Sequence, residues 1–589
     1  MKSFKQKLGA LLMCGLMSFS FAACGGGGGT TNSNSDDVSL PDYDKTTTTV
    51  IEVAVHNGGV RWEWLEKAFL RFAEQQKDVS YAPGKKGVGI NITPGNGLAN
   101  KAMSSDGYNI YFVERTDTYS FIASDLLMDI TEVFQMKDAN GKTLEERIYP
   151  EVLPSLRGNA ADKYYVLPWV EFYSGLSYDV ETFDLIGSYF AAPGAGQAYN
   201  SKYGSANFVA KTGAKKSCGP DGVSGTKDDG LPTSLQEFLI LCAYQKGMGV
   251  EPITISGKYI GYCVYMMAGL WASLAGYDQM KTVYEFDGTE VEVIESDAQG
   301  NMIFTDENLF QGIDYLKKPK TKMVAITEEN GYLTHDMAAK YYAAAFLEAV
   351  EKEGFFSQDA KSDVSHTDTE LNFLLGGVDG EKRKGMIVDG TYWWVESDMT
   401  NNFVDYNLYT EKDANERNIK FMPLPTDLNK TTTEGNGEKN TMIETGMGVC
   451  YVNNNIKDNE ELKNASLDLL KFLYSENELK EFTKNTGSKL AIDYDVAPSE
   501  LDSVFYSDLL ELRDSSNVLR YTAANDNPVF KYHRGSLKIE LSATVWRPTV
   551  GGKGYNNFLE AYRVAGATAK DVINSTRFTK ASWSAFTNN

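Results

Sequence analysis

Between Cys218 and Pro232 the chain sets Asp221, Asp228 and Asp229 among glycines, the side-chain chemistry of a hard-cation site. Calcium takes ~6–8 oxygen ligands in flexible geometry, and closely spaced carboxylates with free carbonyls can supply them. The spacing is not that of an EF-hand, because no acid follows Asp221 at the expected offsets and no Glu closes the loop. A structural calcium ion and a solvated acidic turn both fit; neither is catalytic, and no cofactor is required. Other reactive signatures are missing: there is no G-x-S-x-G, no Walker A sequence, no G-x-G-x-x-G opening a helix and no H-E-x-x-H. His56, His335, His366 and His533 are scattered, and none are spaced as metal ligands. Cys218, Cys242, Cys263 and Cys450 lack C-x-x-C spacing, which removes zinc and redox motifs and leaves disulfides and buried thiols open. A chain with 80 Asp and Glu can always supply the two opposed carboxylates of a glycoside hydrolase, so that class also stays open. The surplus is aromatic: 34 Tyr, 29 Phe and 8 Trp. Tyr and Trp suit flat, half-apolar ligands.

These residues need a scaffold to place them. At ~150 residues per domain, 589 residues make about four units or two large lobes with insertions. The net charge of −23 repels phosphate backbones, which argues against nucleic acid. Residues 49–55 are β-branched and read as a buried strand that ends in the turn His56-Asn57-Gly58-Gly59. Trp62, Leu65, Phe69, Phe72 and Ala73 then recur at helical offsets. Strands follow at 88–93 and 110–113, and another helical piece at 124–133. This alternation predicts an α/β lobe with a largely parallel sheet. Ligands of such sheets sit outside the carboxyl ends of the strands. Asn57 and Glu114, which follow the first and third strands, are therefore candidate contacts as well as turn residues. Trp271 reads as a second aromatic platform or, from its spacing with Met267 and Leu274, as helix core.

The N-terminus sets the compartment. Lys2, Lys5 and Lys7 precede an apolar run from Leu8 to Ala23, the pattern of a secretory signal. Phe21-Ala22-Ala23-Cys24 resembles a bacterial lipobox, which implies cleavage before Cys24, lipidation of its thiol and anchoring to the outer face of the cell membrane. Phe21 departs from the usual aliphatic residue, and an ordinary signal peptide is the alternative. Residues 24–45 read as a flexible tether.

Further on, 164–179 (Tyr-Tyr-Val-Leu-Pro-Trp-Val-Glu-Phe-Tyr-Ser-Gly-Leu-Ser-Tyr-Asp) resembles the crossover segment of family 1 extracellular solute-binding proteins. These are the sugar-capturing components of ABC importers. The segments Leu231 to Phe238, Gly385 to Trp394, Phe421 to Pro425 and Met447 to Leu473 resemble further family pieces, in the family's order. Similar Asp-Gly loops also occur among such receptors.

The resemblance implies two lobes in a periplasmic-binding-protein-like α/β fold, each a mostly parallel sheet flanked by helices, closing over a cleft. Lobe one would span 46–168 and 449–488; lobe two would span 173–443, with insertions at 193–230 and 281–300, and 489–589. Crossings fall at 169–172, 444–448 and near 488–490. The resemblance further implies a monomer that presents a carbohydrate to an ABC permease. Tyr392, Trp393 and Trp394 stand where the family places a stacking aromatic. Trp169 and Glu171 would lie at the cleft floor, or Trp169 would pack the hinge and Glu171 stay solvated, and Asp389 would bind hydroxyls or cap a turn. A secreted glycoside hydrolase or a surface adhesin is the competing class.

Overall fold

The computed structural model describes residues 40–56, 62–95, 107–113, 118–157, 162–211, 214–430, 437–520 and 548–587. The leader, Cys24, Asn57 and Glu114 lie outside the described residues.

The large sheet contains β1 (Thr49–His56), β2 (Val88–Gly95), β3 (Ile110–Val113), β4 (Val166–Asp179), β5 (Glu251–Thr254), β6 (Lys384–Gly390), β7 (Ile419–Phe421), β8 (Thr441–Val452) and β9 (Asn517–Leu519). Its order is β2-β1-β3-β8-β4-β6-β5, with β7 on β4 and β9 on β8. Helices around it include α1 (Glu63–Gln75), α2 (Cys263–Glu285), α3 (Ala338–Lys352), α4 (His366–Leu374), α5 (Trp393–Met399), α6 (Glu460–Leu473), α7 (Glu476–Thr486) and α8 (Val504–Ser515).

β1 is buried on both faces and so apolar nearly throughout, and it pairs with β2 and β3 in parallel. β5 with β6, and β8 with β9, are parallel too. Among the described strands of this sheet, antiparallel pairing enters only through β4 and β8. Those two strands are long enough to serve both halves. β4 pairs with β8 from Val166 to Ser174, then with β6 and β7 as far as Asp179. Its neighbour β8 carries β9 at one end and β3 at the other. Their shared ladder is interrupted between Glu444 and Gly446 and again between Gly448 and Val449. They approach closely there: a Cβ at Gly448 would stand 2.5 Å from Val170 Cγ2.

Three apolar clusters pack around this frame. The first joins β1 to β3, α1 and α6 with the start of β4 and the end of β8. In α1 the buried stripe is Trp64, Leu65, Ala68, Phe69 and Phe72. Trp62, expected in that stripe, is only half-buried and sits at the N-cap, while Trp64 packs edge-on to Phe482 at 4.9 Å. The second and largest cluster lies beyond the crossing, around α2 and α3. A third sits under α4, α5 and α8. Each buried large apolar side chain contributes ~1.5–3 kcal/mol, so each cluster is a real core.

Beyond the crossing expected near 488–490 the chain keeps packing against the first core, as far as Leu510 of α8. Leu490, Ile492, Val496 and Leu501 stay with the first core, and Phe505 is the first residue of α8 packed in the third cluster. The segments expected as insertions hold short antiparallel pairs, including Gln197–Ser201 with Gly204–Val209 and Asp287–Ile294 with Thr321–Thr327. Cys218, Cys242, Cys263 and Cys450 are free thiols. Among the described residues, no helix is long and apolar enough to cross a membrane.

Candidate functional site

β5 and β6 run parallel and end side by side, so the segments after Thr254 and Gly390 share one rim of the sheet. Gly390 is level with Ser174, just past the crossing. Tyr392 therefore meets Phe172 edge-on, with ring centroids 5.6 Å apart. The chain leaving β5 turns at Ser256, whose Oγ accepts the Tyr259 N–H at 3.0 Å, and enters a short 3-10 turn before α2. A 3-10 turn eclipses residues three apart. Tyr259, Tyr262 and Tyr265 consequently project in a row. Centroid separations are 6.3 Å for Tyr259–Tyr262, 5.3 Å for Tyr262–Tyr265 and 6.0 Å for Tyr265–Tyr392. The His366 ring closes the row 5.1 Å from Tyr259. Tyr259 is exposed, and the other members are half-buried. The result is a continuous aromatic shelf from the crossing to the surface.

Carboxylates stand behind the shelf. Asp389 Oδ1 accepts the Gly390 N–H at 2.7 Å, and His366 Nε2 lies 3.1 Å from Glu396 Oε1. Burial, with the Glu396 charge nearby, pushes Asp389 up to about 8, so near neutrality it is mostly a protonated donor. Burial and the charges of Glu396 and Asp389 also push Glu370 up. His366 is raised: burial works against its charge, but the Glu396 hydrogen bond and charge outweigh it. Glu370 Oε1, Glu396 Oε2 and His366 Nδ1 are buried without hydrogen-bond partners. Aromatic faces beside donors and acceptors of both signs match a ligand with an apolar face and a polar rim.

Of the expected site residues, Tyr392 and Asp389 belong to this group. The tryptophans do not. Trp393, Trp394, Trp169 and Trp271 are each at most 1 % exposed, so none offers a ring face to a ligand in this conformation. Trp393 donates to Ser177 Oγ at 3.1 Å, and Trp394 stacks on Phe505 at 5.1 Å. Trp169 packs edge-on to Phe112, and Trp271 lies under the Lys340 ammonium. Successive residues at the start of α5 point in different directions, and only Tyr392, its N-cap, faces the shelf.

Glu171 is part of the hinge packing. Its carboxylate meets Arg520 Nε at 2.7 Å and Nη2 at 3.1 Å, lies 3.7 Å from Arg513 Nε and accepts from the Tyr173 hydroxyl. Burial would raise its pKa, but the two guanidiniums hold it below the usual carboxylate range. Ser488 Oγ accepts the Glu171 N–H and donates to the Glu171 carbonyl, both at 3.1 Å.

The aspartate loop turns its carboxylates on itself. Asp221 Oδ1 takes the Val223 N–H at 2.7 Å, Asp228 takes the Asp221 N–H and the Thr226 hydroxyl, and Asp229 takes the Gly225 N–H. Among the described residues, no group of three His, Cys, Asp or Glu is placed to hold a metal ion. Backbone and hydroxyl donors of the loop thus take part of its carboxylate oxygens.

Tyr259, Tyr262 and Tyr265 escaped the sequence reading. Their signal was the run of tyrosines at intervals of three ahead of an apolar helix.

No family model matches the chain, and no curated protein matches it in sequence. Solved structures do. One is a chitin oligosaccharide binding protein, 13% identical, with a TM-score of 0.50, covering 92% of this chain and 100% of its own. Another comes from work on xylan utilization by Caldanaerobius polysaccharolyticus, 11% identical, with a TM-score of 0.51, covering 90% of this chain and 99% of its own. The chain has the two-lobe periplasmic-binding-protein-like fold. β4 and β8 are the strands that pair in both halves of the sheet, and the tyrosine shelf lies beside them.

Proposed function

We propose that the chain is an exported, lipid-anchored solute-binding receptor that captures a carbohydrate, an oligosaccharide by preference, and hands it to an ABC permease. The observation that carries the reading is the shelf Tyr259-Tyr262-Tyr265-Tyr392 at the strand ends, backed by Asp389 and Glu396. Tyrosine rings cover the C–H face of a sugar, while a protonated Asp389 can donate to a ring oxygen or hydroxyl. The length of the shelf suits more than one sugar ring. Names of the solved neighbours support the same class, since one binds chitin oligosaccharide. Anchoring through Cys24 rests on the leader and lipobox alone. The receptor acts as a monomer without chemistry of its own: contacts from both lobes favour the closed form, and binding shifts the population.

Thermal melting of the purified chain against mono- and oligosaccharides tests this reading. A ligand at ~100 times its dissociation constant adds ~2.7 kcal/mol, a shift of a few degrees at this size. One sugar series should raise the melting temperature, and Tyr392→Ala should lose about tenfold in affinity for it. A flat response to every sugar removes carbohydrate from the reading. Hydrolysis of a glycoside that disappears in Asp389→Asn replaces the receptor with an enzyme.

A further inference from the structure

At the end of β4 away from the crossing, where Tyr178 pairs with Met386, a second cavity of ≈ 410 Å³ opens. It is separate from the tyrosine shelf and owes nothing to the reading of that shelf. Tyr178, Val180 and Tyr189 form an apolar wall, and the aspartate loop contributes Gly225, Thr226, Lys227 and Asp229. Four of its lining residues are lysines, Lys211, Lys216, Lys227 and Lys420, against the carboxylates of Asp229 and Glu511. In a chain of net charge −23 that is a local reversal of sign.

Two of the lysines are already neutralised. Lys227 pairs with Asp508 at 2.7 Å and Glu511 at 2.5 Å, and Lys420 pairs with Asp508 at 2.8 Å. Lys216 is different. Half-buried, its ammonium sits 3.4 Å from the centroid of the Tyr189 ring and makes no ion pair or hydrogen bond with any described residue. A cation drawn out of water without a hydrogen-bonded partner is costly, and an aromatic face offsets only part of that cost. Burial pushes Lys216 down to about 8, with Lys211 and Lys420 adding to the fall and Asp184 and Asp229 opposing it. Across the cavity, Asp229 Oδ1 is buried without a hydrogen-bond partner. The lining thus holds an ammonium with no anion, a carboxylate oxygen with no donor, and apolar side chains.

We propose that this cavity is a second ligand site, for a small hydroxylated carboxylate of the uronic-acid type. The carboxylate pairs with Lys216 and Lys211, a hydroxyl donates to Asp229, and the C–H face lies against Tyr178 and Val180. The volume falls within the range of small-molecule pockets.

Calorimetric titration of the full chain with D-glucuronate, and with D-glucose as its neutral counterpart, tests the site. Glucuronate should bind and glucose should not. Lys216→Ala should weaken glucuronate about tenfold, the value of a charge-assisted contact, while Lys216→Arg retains it. Binding should fall as pH rises from 6.5 to 9, because Lys216 loses its proton near 8, and Lys216→Arg should abolish that fall. A thermal melt of Lys216→Ala that matches the unsubstituted chain shows that any loss of binding is not a failure to fold. Equal binding of glucose, no binding of glucuronate, or binding unchanged by Lys216→Ala overturns the proposal.

Discussion

Two buried acid clusters stand beside the same sheet, one at the crossing and one past it, and they are built on opposite terms. Glu171 is enclosed by Arg513, Arg520 and Tyr173, and its charge is matched inside the protein. Asp389, Glu396 and Glu370 gather with a single histidine beside them, and three polar atoms of that cluster have no hydrogen-bond partner. A buried charge is stable only when paired, and a buried polar atom left unmatched raises the energy of its state. The first cluster is therefore complete as it stands, a fixture that ties the crossing together. The second leaves part of its hydrogen-bonding capacity unused inside the protein.

The comparison can be broken most forcefully at Glu171. Glu171→Ala removes the buried partner of two arginines, leaving them only the more exposed Asp514 and Glu151, and should cost up to about 3–5 kcal/mol in denaturant melts. A loss under ~1 kcal/mol would mean that the cluster is solvated and not a fixture. Next comes the sign of the pH dependence, which should differ between the clusters. Glu171 is held low in the folded state, so its contribution is present above the unfolded pKa and fades as pH falls through the folded value. Asp389 is raised to about 8 from 3.8, so the folded state holds an extra proton between those values. Its contribution is full at low pH and is lost as pH rises towards 8. Urea midpoints at pH 5 and 8 should show that Asp389→Asn removes part of the alkaline loss, while Glu171→Gln leaves that loss intact. The smallest expected effect is at the outer end of the shelf. Tyr259→Ala should change stability by no more than ~0.5 kcal/mol, because the ring is exposed, yet weaken whichever sugar binds. A larger destabilisation would make Tyr259 part of the packing.

The fold was legible because its signals are local and periodic. β1 shows as a run of β-branched residues, and the segment from Tyr164 to Asp179 carries enough pattern to place the crossing strand. The site was legible only in part. Tyr392 and Asp389 were named from the sequence and line the shelf, but Trp393 and Trp394 share their segment, and no periodicity says which of three neighbouring rings faces out. In α1, Trp64 rather than Trp62 is buried because the helix starts one residue later than the apolar spacing suggested. Arg513 and Arg520 reach Glu171 from more than three hundred residues away, and no spacing in a single sequence encodes that meeting. The aspartate loop meets the same limit: composition reveals the carboxylates but not the turns that draw some of their oxygens onto the backbone.

The two interruptions in the β4–β8 ladder have a mechanical consequence. Strands hydrogen-bonded without a break resist twisting about their shared direction, because every rung must deform together. Where rungs are missing, between Glu444 and Gly446 and between Gly448 and Val449, the ribbon is torsionally soft. If one lobe turns against the other, the rotation concentrates at those two gaps, beside Val170 and Phe172. Phe172 carries the inner end of the tyrosine shelf through Tyr392, so the axle of that rotation passes next to the ring a ligand would cover.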